Sequence, residues 1–560
     1  MKKYLICSLI AILVIILFTA CAPSFTCEFS LAQVNKDQKV EISWQDQEIT
    51  KLEITVKRDG KSDYKATFEG DELSDNKVEL DLFYGKHNVS IKATNAKNEV
   101  CSLTKEVAVS TDEYVIAPIS GSMPQLYFTL NMNEITNEGT IPTFVWLARP
   151  DSWNWDNLPS NVYPMPNVDK SEVLVHNNYD KMVASTNAYI KELYSINNNA
   201  TFNLYINDFN SYLYLKLLVA NGIPEENFYV TLLSDGGASY TEFNKAFNST
   251  DPAFDADAKY ADMASKLDTL YAEVKTKGDY NWTDSFTVDT STFNQYAYVA
   301  AREKNNVEWW ILRPRAGVLC SPDEDFINRV LNDDKTEGII EERNFAKPLT
   351  DMNDDEKAAL KSLYNFNNEM FEAAEKQNKK AMMFLGSWAN AENEPDFEAY
   401  VRFTKAYYGD EFVYYYKGHP NTPTSNYPDK QAQLERLDLI DVESSINAEL
   451  ILFFYPDIYM CGYNSSTFMS VQSPEMACAM FNMTKEACTG EYKDLIGIYV
   501  SKIDVATSAY ATLCTETGHD YFLLEYNNMG EGFEAEIGIY DDTTGTIKNY
   551  KTVDGNLTLI

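Results

Sequence analysis

Two short segments each set a proton-transferring side chain on a turn at the end of an apolar run. Lys417-Gly418-His419-Pro420 closes the aromatic run Phe412-Val413-Tyr414-Tyr415-Tyr416, and Ser234-Asp235-Gly236-Gly237 closes Phe228-Tyr229-Val230-Thr231-Leu232-Leu233. Histidine is the side chain best suited to give or take a proton near neutral pH, and the chain has only four in 560 residues. A carboxylate followed by two glycines sets an acid at a sheet edge with room for a ligand beside it. A third segment, Asn464-Ser465-Ser466, offers paired hydroxyls at a predicted helix start, where free N–H groups bind phosphate oxygens. Read locally, these are also an exposed histidine, an ordinary Asp-Gly turn and an N-cap pair. Their order and the elements that carry them must decide.

Alternating apolar and polar residues in Val40-Glu41-Ile42-Ser43-Trp44, Leu52-Glu53-Ile54-Thr55-Val56 and Val89-Ser90-Ile91-Lys92 predict half-buried strands over residues 25–112. That size and pattern fit a small immunoglobulin-like β-sandwich. After Tyr114 strands alternate with helices. Leu126–Leu130, Thr143–Leu147, Thr201–Ile206 and Phe228–Leu233 read as strands, with a helix from Tyr212 to Ala220 closed by Asn221-Gly222. Residues 240–375 read as mostly helical and acidic, with a capped helix start at Leu349–Glu356 leading into Ala358–Tyr364. A second α/β stretch begins near Lys379: strands at Met382–Leu385, Phe412–Tyr416 and Ile458–Gly462, and helices at Glu394–Tyr408 and Ala448–Tyr455. Parallel sheets of this kind bind ligands at the C-terminal ends of their strands. The expected layout is a segment 1–21, a sandwich 25–112, one Rossmann-like domain 113–375 and a second 376–560, the last two facing a cleft.

Composition narrows the partners. A length of 560 residues exceeds one core. A formal net charge of -37 with no basic stripe argues against nucleic acid, so an anionic ligand would need a locally positive pocket of the sort Lys417 and His419 would build. Lys2 and Lys3, the apolar run Tyr4–Leu17 and Phe18-Thr19-Ala20 before Cys21 form a targeting segment. A small residue directly before a cysteine resembles a bacterial lipoprotein signal, in which Cys21 becomes the lipidated N-terminus. An ordinary signal peptide or an uncleaved anchor remains open, because Phe18 departs from the usual aliphatic residue. Either way the mature chain is expected outside the cytoplasm, at the cell envelope. Cys27 and Cys101 could bridge the first domain there, while Cys320, Cys461, Cys478, Cys488 and Cys514 read as buried small hydrophobes. No Cys/His cluster has zinc-ligand spacing, and no metal or other cofactor is expected. Asp255-Ala256-Asp257 reads as a solvated acidic loop.

The order of segments resembles the bacterial sialyltransferases of glycosyltransferase family 80, which have a GT-B fold of two Rossmann-like domains. An Asp-Gly turn comes first, then Gly386-Ser387-Trp388, then Lys417-Gly418-His419-Pro420, then Glu449 ahead of Pro456-Asp457, and last Ser465-Ser466. The resemblance covers about residues 115–475. It implies Asp235 as the general base on the acceptor hydroxyl and His419 as the general acid on the departing cytidine monophosphate. It implies Ser465 and Ser466 at the donor phosphate, Glu449 at the ribose, and Gly386, Lys417 and Pro420 along the nucleotide. Trp388 would close over the site, and Asn207 and Asn210 would line the acceptor side. The implied activity is inverting, metal-independent transfer of N-acetylneuraminic acid from its CMP donor to a galactoside-type acceptor by a lipid-anchored monomer. Ser234 stands where the family has a first aspartate, Asn210 where it has a histidine, and Asn421 where some relatives have a basic residue. Those departures fall mostly on the acceptor side. A glycosyltransferase for another nonulosonic acid or nucleotide sugar, and a degenerate glycan-binding lipoprotein, are the rival readings.

Overall fold

A computed structural model describes residues 25–35, 38–45, 48–57, 63–247, 249, 251–278, 286–311, 340–343, 348, 351–367, 369–386, 394, 397–420, 422–463, 465, 467, 476–481, 522–525, 536–541, 546–553 and 556–559. The chain divides into two compact units. One ends at Tyr114 and takes in Pro164–Val173 and Asn178–Phe202; the other comprises Val115–Tyr163, Leu174–Asn177 and the chain from Asn203 onward.

In the first unit, the alternating pattern becomes two antiparallel sheets. One joins β1 (Phe29–Gln33), β2 (Lys39–Trp44) and β5 (Lys77–Asp81) in the order β1-β2-β5. The other joins β3 (Ile49–Lys57), β4 (Tyr64–Glu69), β6 (Gly85–Asn95) and β7 (Val100–Val109) in the order β4-β3-β6-β7. Val40, Ile42, Leu52, Ile54, Val89 and Ile91 are buried while their neighbours in sequence face outward, as period-2 strands with one wet face require. This arrangement is compatible with a β-sandwich, and a disulfide joins Cys27 to Cys101. The helix Tyr179–Ile196 belongs to the same unit. It buries Met182, Tyr189, Ile190 and Leu193, and the Tyr189 hydroxyl donates to the Tyr84 carbonyl at 3.0 Å.

The second unit is built around two sheets with parallel pairing. In the first, β8 (Glu113–Ile119), β9 (Thr143–Leu147), β10 (Val162–Pro164), β11 (Thr201–Asn207), β12 (Phe228–Leu233), β13 (Val307–Ile311) and β14 (Ile340–Glu342) lie in the order β10-β9-β8-β11-β12-β13-β14. In the second, β15 (Lys380–Leu385), β16 (Phe412–Lys417), β17 (Ile440–Val442), β18 (Tyr459–Tyr463) and β19 (Ala477–Phe481) lie in the order β17-β16-β15-β18-β19. Each sheet therefore steps outward from its first strand and then reverses, which opens a crevice at the reversal, between β8 and β11 and between β15 and β18. One apolar core carries residues of both, from Val115 and Ala117 on β8 to Met383 and Leu385 on β15. A four-stranded antiparallel sheet, β20 (Phe522–Glu525), β21 (Glu536–Asp541), β22 (Thr546–Val553) and β23 (Asn556–Leu559), follows in sequence.

Two sequence expectations are corrected. Leu126–Leu130, expected as a strand, lies in the helix Ser122–Leu130. Every residue from Met123 to Leu130 is buried, and an element that is buried all round loses the periodicity that separates helix from strand. The stretch 240–375, expected as mostly helical, also contributes β13 and β14 to the first sheet. Val307-Glu308-Trp309-Trp310-Ile311 is a short apolar run, too brief to stand out beside the helices Ala256–Lys277 and Ala297–Glu303. The capped start did form: Asn353 caps Asp354–Leu363 and Glu356 closes the capping box.

Gly462 marks how tightly the second sheet closes at its reversal. Its φ is +121°, and a Cβ there would collide with the backbone of Leu385 on β15. Gly462→Ala is expected to destabilise this unit by about 3 kcal/mol or more, through a disallowed backbone plus a clash that no rotamer relieves. Denaturant unfolding checks it, and a loss below about 1 kcal/mol would mean that β18 can shift away.

Candidate active site

The C-terminal ends of strands from both parallel sheets line one cleft. The first sheet contributes Ser122 and Met123 after β8, Arg149 after β9 and Asp235 after β12; the second contributes Leu385 and Gly386 after β15, Lys417 to Pro420 after β16, and Ser465 and Thr467 after β18. Asn447 to Glu449 complete it from the start of the helix Ala448–Phe454. Asn447 Nδ2 also donates to the Ser122 carbonyl at 3.2 Å, tying the two halves together beside the cleft.

Asp235 follows β12 because Leu233 ends in the core and Gly236, at φ +73°, turns the chain into the helix Gly237–Phe247. Its backbone N–H donates to Ser239 Oγ at 2.8 Å and to Asp208 Oδ1 at 3.3 Å. Burial pushes the Asp235 carboxyl up to about 7; the Asp208 carboxylate adds to the rise, while Arg149 and a hydrogen bond with Asn207 oppose it. A carboxyl group near 7 is matched to general-base work at neutral pH. Gly121 explains its own identity: at φ +87° it presses against Asp235 and Asn207, and a Cβ there would overlap the Asp235 carboxylate.

Lys417 is 2% exposed, and its Nζ donates to the carbonyls of Gly418 and Ser444, each at 2.9 Å. Burial lowers it to about 8, against the pull of Glu449, Asp441 and Glu443. His419 is half-buried and lowered to about 4, first by burial and then by the charges of Arg149 and Lys417. Arg149 and Lys417 thus set positive charge beside His419, which burial and these charges keep neutral at pH 7.

In the same cleft Ser465 Oγ donates to Thr467 Oγ1 at 3.0 Å, and Thr467 Oγ1 donates to Glu449 Oε1 at 2.7 Å. The chain of hydroxyls fixes Glu449 at the helix start. Gly386 is held by its N–H to the Lys417 carbonyl at 2.9 Å, and a Cβ there would collide with the Tyr416 hydroxyl. Behind it Lys430 Nζ meets Glu394 Oε2 at 2.6 Å in a fully buried pair, with Lys430 3.4 Å over the Phe397 ring. The Glu394 carboxylate of this pair also lies against Gly386.

Of the residues expected from sequence, Asp235, Gly386, Lys417, His419, Pro420, Glu449 and Ser465 converge here. Asn207 stands behind Asp235, its Nδ2 donating to the Ser120 carbonyl at 2.9 Å, and Asn210 Nδ2 donates to Ser120 Oγ at 3.1 Å; neither lines the cleft. Trp388, Ser466, Asn421 and Cys21 lie outside the described residues, as do the residue 1–21 segment and Cys320, Cys488 and Cys514. Cys461 is buried. Asp255 caps the helix Ala256–Lys277 by accepting from the Ala258 N–H at 3.0 Å, and both Asp255 and Asp257 are exposed. Among the described residues no three His, Cys, Asp or Glu side chains converge as a metal-ligand set, and no helix is long and apolar enough to cross a membrane.

Sequence reading missed Arg149 and Asp208. Arg149 directly precedes Pro150, two residues beyond the apolar strand Thr143–Leu147, so the rule that sites gather at strand ends would have found it. Asp208 carried no such signal beyond lying one residue after β11.

No protein-family model matches the sequence, and no curated protein is similar to it in sequence. Solved structures are similar in three dimensions. A 2,6-sialyltransferase of a Photobacterium species, solved with CMP and lactose, aligns at a TM-score of 0.50 with 14% identity over 79% of this chain and 85% of that one. A sialyltransferase from Photobacterium damsela aligns at 0.49 and 14%, over 81% and 92%. The first likeness is one of fold: the chain has the GT-B-type arrangement of two parallel α/β sheets, with antiparallel sheets added at its N-terminal end.

Proposed function

We propose that this chain is an inverting sialyltransferase that moves N-acetylneuraminic acid from CMP-Neu5Ac to a galactoside-type acceptor. One observation carries the reading: Asp235 and His419, from strand ends of two different sheets, line the same cleft. Inverting displacement at a sugar needs a base on one face of the reacting carbon and an acid or electrophile on the other. The shared fold with an enzyme solved with CMP and lactose supports the substrate class.

In this reading Asp235 accepts the proton of the acceptor hydroxyl as it attacks the anomeric carbon. The bond to the donor phosphate breaks on the opposite face. His419, protonated once the phosphate neutralises the surrounding positive charge, donates to the departing phosphate oxygen. Arg149 and Lys417 supply positive charge for an anionic donor, Ser465 meets the phosphate, and Glu449 accepts from the ribose hydroxyls. Charge stabilisation by these fixed groups does the work for which no metal is proposed. The donor and a glycan are then the working partners of a monomer. The targeting segment supports anchoring to the envelope membrane through Cys21, and the Cys27–Cys101 disulfide agrees with an oxidising compartment.

The test is incubation of purified protein with CMP-Neu5Ac and lactose, following CMP release and sialyllactose by chromatography. Product formed by the wild type and absent from Asp235→Ala and His419→Ala is the expected outcome. No CMP released from any cytidine-linked donor would sink the proposal.

A further inference from the structure

Asp208 is a carboxylate in a place that gains nothing from charge by itself. It is 2% exposed, at the start of the short turn Asp208–Asn210 that follows β11. Burying an ionised carboxylate costs several kcal/mol unless donors surround it, and here donors converge from three elements. Trp309 Nε1 on β13 donates to Oδ2 at 3.0 Å. The Asp235 backbone N–H reaches Oδ1 at 3.3 Å, and the Phe209 N–H adds a bond from the same turn. Ser239 Oγ already accepts from Ser234 Oγ at 2.9 Å and from the Asp235 N–H at 2.8 Å, which leaves its own hydrogen for Asp208. The arrangement stabilises a charged or shared-proton carboxyl rather than merely filling space.

We propose that Asp208 is a positioning residue for Asp235: its buried carboxylate clamps the backbone of the Asp235 turn and presents a negative charge to the Asp235 side chain. This rests on the reading of Asp235 as the base. The base thereby keeps a higher proton affinity than Arg149 beside it would otherwise allow. The groups that face Asp235 are Asp208 and Asn207 from the end of β11 and Arg149 from the end of β9, with Lys417 and His419 in the same cleft. Asp208 and Asp235 are pushed upward together, to about 6 and about 7, both chiefly by burial. A base tuned in this way accepts the acceptor proton more readily at the cost of needing a higher pH to be ionised.

The experiment is the pH profile of kcat/KM for transfer in the wild type, Asp208→Asn and Trp309→Phe. Asp208→Asn is expected to move the acidic limb down by about one pH unit. Trp309→Phe removes one donor that favours ionised Asp208, so it moves the limb the same way by less. An activity loss with the limb unmoved in both variants would mean a structural role only and overturns the proposal. A second readout needs no activity: the thermal-stability gain of Asp235→Asn at pH 8 is expected to be smaller in an Asp208→Asn background than in the wild type. Equal gains in the two backgrounds overturn the pairing. A chain without transferase activity that still shows the smaller gain would refute the function and leave the carboxylate pair standing.

Discussion

Asp235→Asn is expected to reduce transfer by about 10³-fold or more while making the protein more stable at pH 8. The activity loss follows from removing a general base, whose contribution is typically 10²–10⁴-fold. The stability gain follows from the direction of the Asp235 shift. Its folded value is raised to about 7 from the ordinary 3.8, chiefly by burial and then by Asp208. A carboxyl raised in this way opposes folding once ionised: the cost is absent below the unfolded value, grows as pH climbs from about 4 to about 7, and is complete above 7. An amide of the same shape carries no such cost. Thermal unfolding of wild type and Asp235→Asn from pH 4 to 8 checks it: the two curves should converge at the acid end and separate toward pH 8, by a few degrees. Loss of activity without any pH-dependent stability difference would mean that the Asp235 side chain is solvated in the folded protein, and its role as a tuned base would fall. The same shift predicts that wild-type activity declines as pH drops below about 7, because the base becomes protonated.

His419→Ala is expected to cost about 10²–10⁴-fold in transfer, and the histidine should reveal itself by a proton. In the free cleft His419 is held down to about 4, first by burial and then by Arg149 and Lys417. A neutral imidazole is a poor acid. The phosphate of a bound nucleotide sets a negative charge among those cations, cancels their repulsion and raises the histidine toward or beyond its ordinary range. CMP binding near pH 6 should therefore take up a proton at His419. Calorimetric titration of CMP in buffers of different ionisation enthalpy measures the net transfer. The phosphate of CMP itself titrates near pH 6, so the informative quantity is the difference between wild type and His419→Gln. An uptake approaching one proton more in the wild type is expected. Identical buffer dependence in the two proteins would show that the phosphate does not reach the histidine.

Much of the cleft was legible because its residues sit at the ends of apolar runs. The strand expected at Phe412–Tyr416 formed as Phe412–Lys417 and the one at Phe228–Leu233 formed as expected, and a strand end followed by glycine or proline announces its own turn. The helix Ser122–Leu130 was not legible, since burial on all sides erased its period. The carboxylate beside Asp235 was hidden for a different reason. Ser234 stands where the family that the chain resembles has the first of two aspartates, so the segment itself carries a single carboxylate. A carboxylate near Asp235 is nevertheless present, supplied by Asp208 from 27 residues earlier. Only adjacency in the sheet makes those two neighbours.

The sequence by itself determined the types of the candidate groups and the elements that carry them: an aspartate and a histidine on strand ends, in a chain of net charge -37. These are local properties, set by composition and by the period of short apolar runs. The tertiary structure decided what those groups are. Reversal of strand order in each sheet opens the crevice, Gly462 lets β18 approach the Leu385 backbone, and Gly121 and Gly386 leave room for the Asp235 and Tyr416 side chains where no Cβ would fit. Folding then surrounds Asp235 with Asp208 and Arg149, and His419 with Arg149 and Lys417. Proton affinity depends on burial and on charges brought close in space, and both are set by contacts between residues far apart along the chain.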